Sequence, residues 1–159
     1  MDHTSQLLDS PPQHDIFDVA NWFLSKSSLQ HKKLQKLCYY AVAWNYALLD
    51  SPLCKNDKFQ AWVHGPVSPT LYAAYKEYGW IMIPQTTSSV EFESVDVLEF
   101  VWESYGDLNQ FQLENLTHEE MPWQKARGSL GEFDHSEEVI DIEDMKLFYR
   151  EQYAQDQND

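Results

Sequence analysis

Between Leu29 and Leu49 the chain offers a helix no polar face. Leu34, Leu37, Ala41, Trp44 and Leu48 fall on one stripe at helical spacing. Tyr40, Ala43 and Ala47 fall on a second, and Tyr39, Val42, Tyr46 and Leu49 on a third. A helix that lies on a surface needs only one apolar stripe. One that is apolar on all sides must be enclosed by other elements. The pattern therefore predicts a central buried helix over 29–49 and a mainly α, compact helical domain built around it. A chain of 159 residues can do this as one domain, since that size buries roughly 70% of its unfolded surface. Cys38, inside the same run, behaves as a small hydrophobe. The first turn is different in kind, with His31, Lys32, Lys33 and Lys36. Cations at a helix N-terminus oppose the macrodipole by about 0.3–1 kcal/mol each. Acids elsewhere offset that cost, a partner uses the charges, or the lysine stems lie over the core with solvated heads.

The other elements are read around this helix. Residues 1–14 read as a flexible arm, polar and interrupted by Pro11 and Pro12. Asp15 can cap a helix, with Asp18 in its first turn and Ile16, Val19, Ala20 and Phe23 on one face. Ser28 is placed to cap the central helix. In "FQAWVH", Phe59, Ala61 and Val63 alternate with Gln60, Trp62 and His64, which predicts a strand over 59–64 with Trp62 and His64 facing away from the core. Gly65-Pro66 reads as a turn, Ser68 as an N-cap, Pro69 as the first helical residue and Gly79 as the stop. Short strands over 80–83 and 90–93 would complete a small antiparallel β element with 59–64. Helices follow over 95–105, through Phe111, Leu113 and Leu116, over "MPWQKAR" with Pro122 at its start, and from a cap at Asp141. The domain is expected to span 15–155, with 156–159 as a disordered tail.

Charge and motifs remove several classes of function. The net charge is −15, and the only basic cluster is the short one at 31–36, so nucleic-acid binding is not expected. Residues 129–159 hold ten acids against two bases and carry −8 of that total, which reads as an acidic appendage. An acidic surface suits a basic partner. No phosphate-loop pattern occurs, and the two prolines of "HGPVSP" lack the N–H donors that an anion nest needs. "THEE" at 117–120 is no metal motif, because adjacent acids on a helix point apart, so no metal or cofactor is expected. His64 and His118 are available bases, but Ser68 is explained as a cap, and neither a strained elbow nor a Cys-x-x-Cys pattern accompanies them. An enzyme is not expected. The N-terminus lacks the basic and apolar regions of a signal peptide, and no apolar run reaches membrane-spanning length, so the cytoplasm is the default location.

Three segments carry a more specific signal in their order and spacing: "HKKLQKLCYYAVAW" (31–44), "FQAWVHGPVSPTLYAAYKEYG" (59–79) and "LTHEEMPWQKARG" (116–128). Together they resemble the Panacea domain of the SocA-like antitoxins, including phage-associated GepA-like proteins, over about residues 15–150. The resemblance implies a mostly helical fold with a small β element. It also implies an antitoxin that binds and neutralises a co-encoded protein toxin. Some such proteins act instead as adaptors that present the toxin to a cytosolic AAA+ protease. Two positions depart from the family pattern. Gln30 stands where Ser or Thr usually caps the central helix, and Gln60 stands where Glu is frequent. If that Glu pairs with a lysine such as Lys36, this chain leaves Lys36 for a partner. Lys33, Lys36, Tyr40, Trp62, His64 and Trp123 are the candidate partner contacts. Gly65, Pro66, Pro69, Tyr72, Thr117, His118 and Pro122 read as motif residues that hold the architecture. The toxin's identity and the oligomeric state are not readable from the residues.

Overall fold

A computed structural model describes residues 12–87 and 89–158. Seven α-helices and one two-stranded antiparallel sheet make up these residues, so the fold is mainly α with a small β element. The helices are α1 (Ile16–Leu24), α2 (His31–Leu49), α3 (Pro69–Tyr75), α4 (Val95–Tyr105), α5 (Gln110–His118), α6 (Met121–Arg127) and α7 (Ile142–Asn158). Strands β1 (Gln60–Trp62) and β2 (Gly65–Val67) lie between α2 and α3.

Helix α2 is the axis of the fold. It packs against α1, α3, α4, α5, α7 and β2, and every residue from Leu34 to Ala47 is buried. Burying a leucine such as Leu34 or Leu37 contributes about 1.5–3 kcal/mol, so each enclosing element gains by covering a share of this surface. The helix begins at His31, two residues later than its apolar pattern suggests, with Gln30 as an N-cap that makes no side-chain cap bond. Leu29 is drawn out of the helix by a backbone pair with Ile83. Ser28 does not cap, and its Oγ accepts from the Gln85 amide instead. By contrast, α1 opens with a full capping box between Asp15 and Asp18.

The sheet differs from the expected one. Its second strand is Gly65–Val67, in the register Gln60↔Val67, Ala61↔Pro66 and Trp62↔Gly65. Residues 80–83 and 90–93 are not strands in it. Trp80, Ile81 and Met82 are exposed, and only Ile83 pairs with another segment, through its bridge to Leu29. The outer side of β1 is covered by residues 138–140. The Ala61 amide donates to Glu138 O, and the Ile140 amide donates to Phe59 O.

The acidic C-terminal segment is not an appendage. Met145 and Tyr149 of α7 are fully enclosed, and Arg150 Nε donates to Ala47 O at the end of α2. Residues 156–158, expected in a disordered tail, are the last turn of α7. Of the expected N-terminal arm, 1–11 lie outside the described residues. His14 is tied in, its carbonyl accepting from the Lys55 amide at 2.7 Å.

Candidate functional site

The corner at 62–66 brings the sequence motifs together. Neither loop residue of the hairpin, Val63 or His64, has a positive φ, and the turn is completed by Gly65 at φ +110°. A side chain there is excluded twice. The backbone conformation is one that L-residues rarely adopt, and a Cβ would sit 2.7 Å from Lys36 Cε and 2.9 Å from Thr117 Oγ1. Gly65 thus lets the hairpin lie flat against α2 and α5. Ser68 then caps α3 through Leu71 N–H, and Gln35 of α2 pins the same residue with two bonds, Nε2 to Ser68 O and Ser68 N–H to Oε1. Pro69 opens α3, and Pro122 is the second residue of α6.

This corner separates two hollows. The first is a cleft of about 250 Å³. Its walls include His31, Lys32 and Lys36 from the start of α2, Trp62 and Val67 from the hairpin, and Tyr72 from α3. Trp62 and Tyr72 meet edge to face with centroids 5.0 Å apart, and Trp62 Nε1 donates to Gln60 Oε1 at 2.8 Å. The second hollow, of about 400 Å³, is lined in part by His118, Trp123, Arg127 and Phe133. There the His118 ring stacks on Trp123 at 4.2 Å, with the Arg127 guanidinium over the same indole. Trp123 Nε1 donates to Trp62 O, which links the two sides. Val63 and His64 border both hollows, and His64 Nδ1 lies 3.0 Å from Glu114 Oε1.

The candidate contacts thus divide. Lys36, Trp62, His64 and Trp123 gather at this corner, as do the motif residues Tyr72 and His118. Tyr40 does not. It is fully buried, stacked on Tyr105 at 3.9 Å, and its hydroxyl donates to Glu120 Oε1. All faces of α2 are apolar, so spacing alone could not tell which would stay open. Lys33 is also engaged, its ammonium donating to Gly106 O at 2.6 Å. Thr117 is buried beneath Gly65, with its hydroxyl donating to Glu114 O.

Lys36 is an unusual wall residue. It is only 2% exposed. Burial pushes its pKa down to about 8 against the pull of Glu114, with Lys32 adding to the fall. Burial also lowers the pKa of His31, helped by Lys32 and Lys36, and lowers that of His118 against the opposing effect of Glu114. His31 Nδ1 and His118 Nε2 are buried without hydrogen-bond partners among the described residues. Both cysteines are free and buried, and burial raises both thiol pKa values. Among the described residues, no group of three or more His, Cys, Asp or Glu side chains is arranged to hold a metal. The corner offers aromatic faces, imidazoles and ammonium groups.

Sequence reasoning missed the rim. Trp80 and Phe111 are 68% and 57% exposed, and their rings lie 6.4 Å apart. Lys32 joins them to the first cleft, its ammonium 5.6 Å from the Trp80 ring. Phe111, Glu114 and His118 follow at i, i+3, i+7 on α5, one helical face aimed at this side. Phe133, 81% exposed, closes the far end. The available signal was the "WIMIP" run, which reads as a strand only if something covers it.

No helix among the described residues is long and apolar enough to cross a membrane. No curated protein and no solved structure matches the chain. One family does match over residues 34–124, more than half of the chain, and that stretch runs from α2 through the hairpin to Trp123. The protein belongs to the family described as antitoxin SocA-like, Panacea domain.

Proposed function

We propose that this protein neutralises a co-encoded protein toxin by binding it directly, and that the hairpin corner with its aromatic rim is the binding face. The reading makes it a binder rather than an enzyme. The observation that carries it is the continuity of that face. Trp80 adjoins both Phe111 and Lys32, Lys32 lines the first cleft, His64 borders both hollows, and Phe133 lines the second. Exposed apolar side chains scattered singly are ordinary, whereas a contiguous group rimmed by polar residues marks an interaction site. Tryptophan and other large aromatics supply most of the energy at protein interfaces. Leu147, also exposed, sits on α7 among Glu143, Lys146, Arg150 and Glu151.

The enclosed α2 gives the face a rigid floor, so little ordering entropy opposes docking. The test is co-expression with the adjacent open reading frame. That gene should be toxic alone and harmless beside this chain. Changing Trp80 and Phe111 together to alanine should abolish protection while moving the unfolding midpoint little, because both side chains are mostly exposed. A neighbour that is harmless alone overturns the reading, and full protection by the double variant moves the binding face elsewhere.

A further inference from the structure

The first cleft has a sign opposite to the rest of the molecule. The chain holds 26 Asp and Glu residues, yet none of them lines this cleft. Lys32 and Lys36 do, and neither makes an ion pair among the described residues. The nearby carboxylate, Glu114, is held by His64. His31 and Lys32 are the first residues of α2, and Gln30 supplies no side-chain cap there. The first amides of a helix have no partner inside it and carry partial positive charge. A second observation points the same way. His31 is 8% exposed, lines the cleft, and has a buried Nδ1 with no partner. A buried polar atom left unpaired is costly, and a ligand that supplies its partner removes that cost.

From this juxtaposition we infer that the first cleft is a carboxylate site, taking one acidic side chain or the terminal carboxylate of the protein partner. This rests on the reading that the chain binds a protein. The size favours a single residue. At about 250 Å³, the cleft falls below the ~300–1,000 Å³ of small-molecule pockets. The walls suit the rest of such a residue. Trp62, Val67 and Tyr72 can take an aliphatic stem while Lys32, Lys36 and the His31 imidazole meet the charge. Hydrogen bonds between ammonium and carboxylate groups are about twice as strong as neutral ones. One such contact in an otherwise acidic surface fixes the register of the complex, because a misplaced carboxylate meets like charge.

The test uses the purified full chain without any toxin, followed by backbone and tryptophan side-chain NMR. N-acetylglutamic acid α-amide offers only a side-chain carboxylate, N-acetylalanine only a terminal one, and N-acetylglutamine α-amide is the neutral control. One or both acids should shift the His31, Lys32 and Trp62 signals saturably, and the neutral amide should not. The stronger acid identifies the source of the carboxylate. Lys36→Met keeps the stem and removes the charge, and it should weaken that binding about tenfold or more. Lys32→Gln, at a half-buried position, provides the same readout if Lys36→Met fails to fold. Equal shifts from the neutral amide, or none from either acid, overturn the site. If the acids bind but the adjacent gene is no toxin, the site stands and the antitoxin reading falls. If Lys32→Gln protects fully and neither acid binds, the site falls and the antitoxin reading stands.

Discussion

Glu120 is the residue on which the interior chemistry of this fold turns. It is 4% exposed, and the hydroxyls of Tyr40 and Tyr149 donate to its Oε1 at 2.8 and 2.9 Å. The Tyr39 hydroxyl lies 3.1 Å from that of Tyr149. Burial raises the Glu120 pKa to about 7, the two tyrosine hydroxyls pull it down, and neighbouring Glu119 adds to the rise. The folded protein therefore holds a proton that the unfolded chain releases near the ordinary value of 4.5. The sign comes from linkage. This contribution is fully present below about pH 4.5, falls as pH rises toward 7, and is flat above that. Its size is on the order of 3 kcal/mol. Glu120→Gln keeps an acceptor for both tyrosines and cannot ionise. Measured by urea unfolding from pH 4 to 8, on the order of 3 kcal/mol should separate the two proteins' pH dependences across that window. His31 and His118, with lowered pKa values, add a slope of the opposite sign to both proteins, so they cancel in the difference. A difference independent of pH would mean that Glu120 titrates in the fold as it does in the unfolded chain.

At the scale of elements, α7 is where charge misleads. It holds Glu143, Asp144, Glu151 and Asp156, yet it encloses Met145 and Tyr149 against α2 and brings Tyr149 to Glu120. Loss of a buried side chain of this kind costs about 2–5 kcal/mol, and a whole domain has only about 5–15 kcal/mol to lose. A chain ending at Ile140 should therefore lose its cooperative thermal transition, as followed by near-ultraviolet circular dichroism. An acidic appendage could be removed without that effect. The contrast with α2 explains what a sequence can convey. Helix α2 was legible because apolar residues on every face require enclosure whatever encloses them. Helix α7 has only a short buried stripe, and apart from Asp144 its acids lie outside it, so composition spoke mainly for the exposed side. The hairpin was half legible. Alternation marked 59–64 and Gly65-Pro66 marked a turn, but the positive φ falls on Gly65 rather than inside the loop, so no Asn-Gly signature announced the pairing. The first cleft was not legible as a unit. Its walls come from 31–36, 62–67, 72 and 135–136, and only the folded chain brings those segments together.

The whole molecule carries −15 and one cleft of the other sign, and the two act at different ranges. Charge spread over the surface reaches out by about one Debye length, ~30 Å at 0.01 M salt and ~8 Å at 0.15 M. Under the proposed function it would govern encounter with a basic toxin and have little influence once the two proteins had docked. The cleft and aromatic rim act only on contact, in a partly desolvated setting where salt screens poorly. Raising the salt from 0.01 to 0.15 M should lower the association rate of the toxin complex by about tenfold or more. The dissociation rate should change much less, because release depends on the docked aromatics and on Lys32 and Lys36. Lys32→Gln should reverse that division, raising the dissociation rate and leaving the salt dependence of association nearly intact. Stopped-flow mixing under both conditions separates the two terms. An association rate insensitive to salt would show that the acidic surface does no steering.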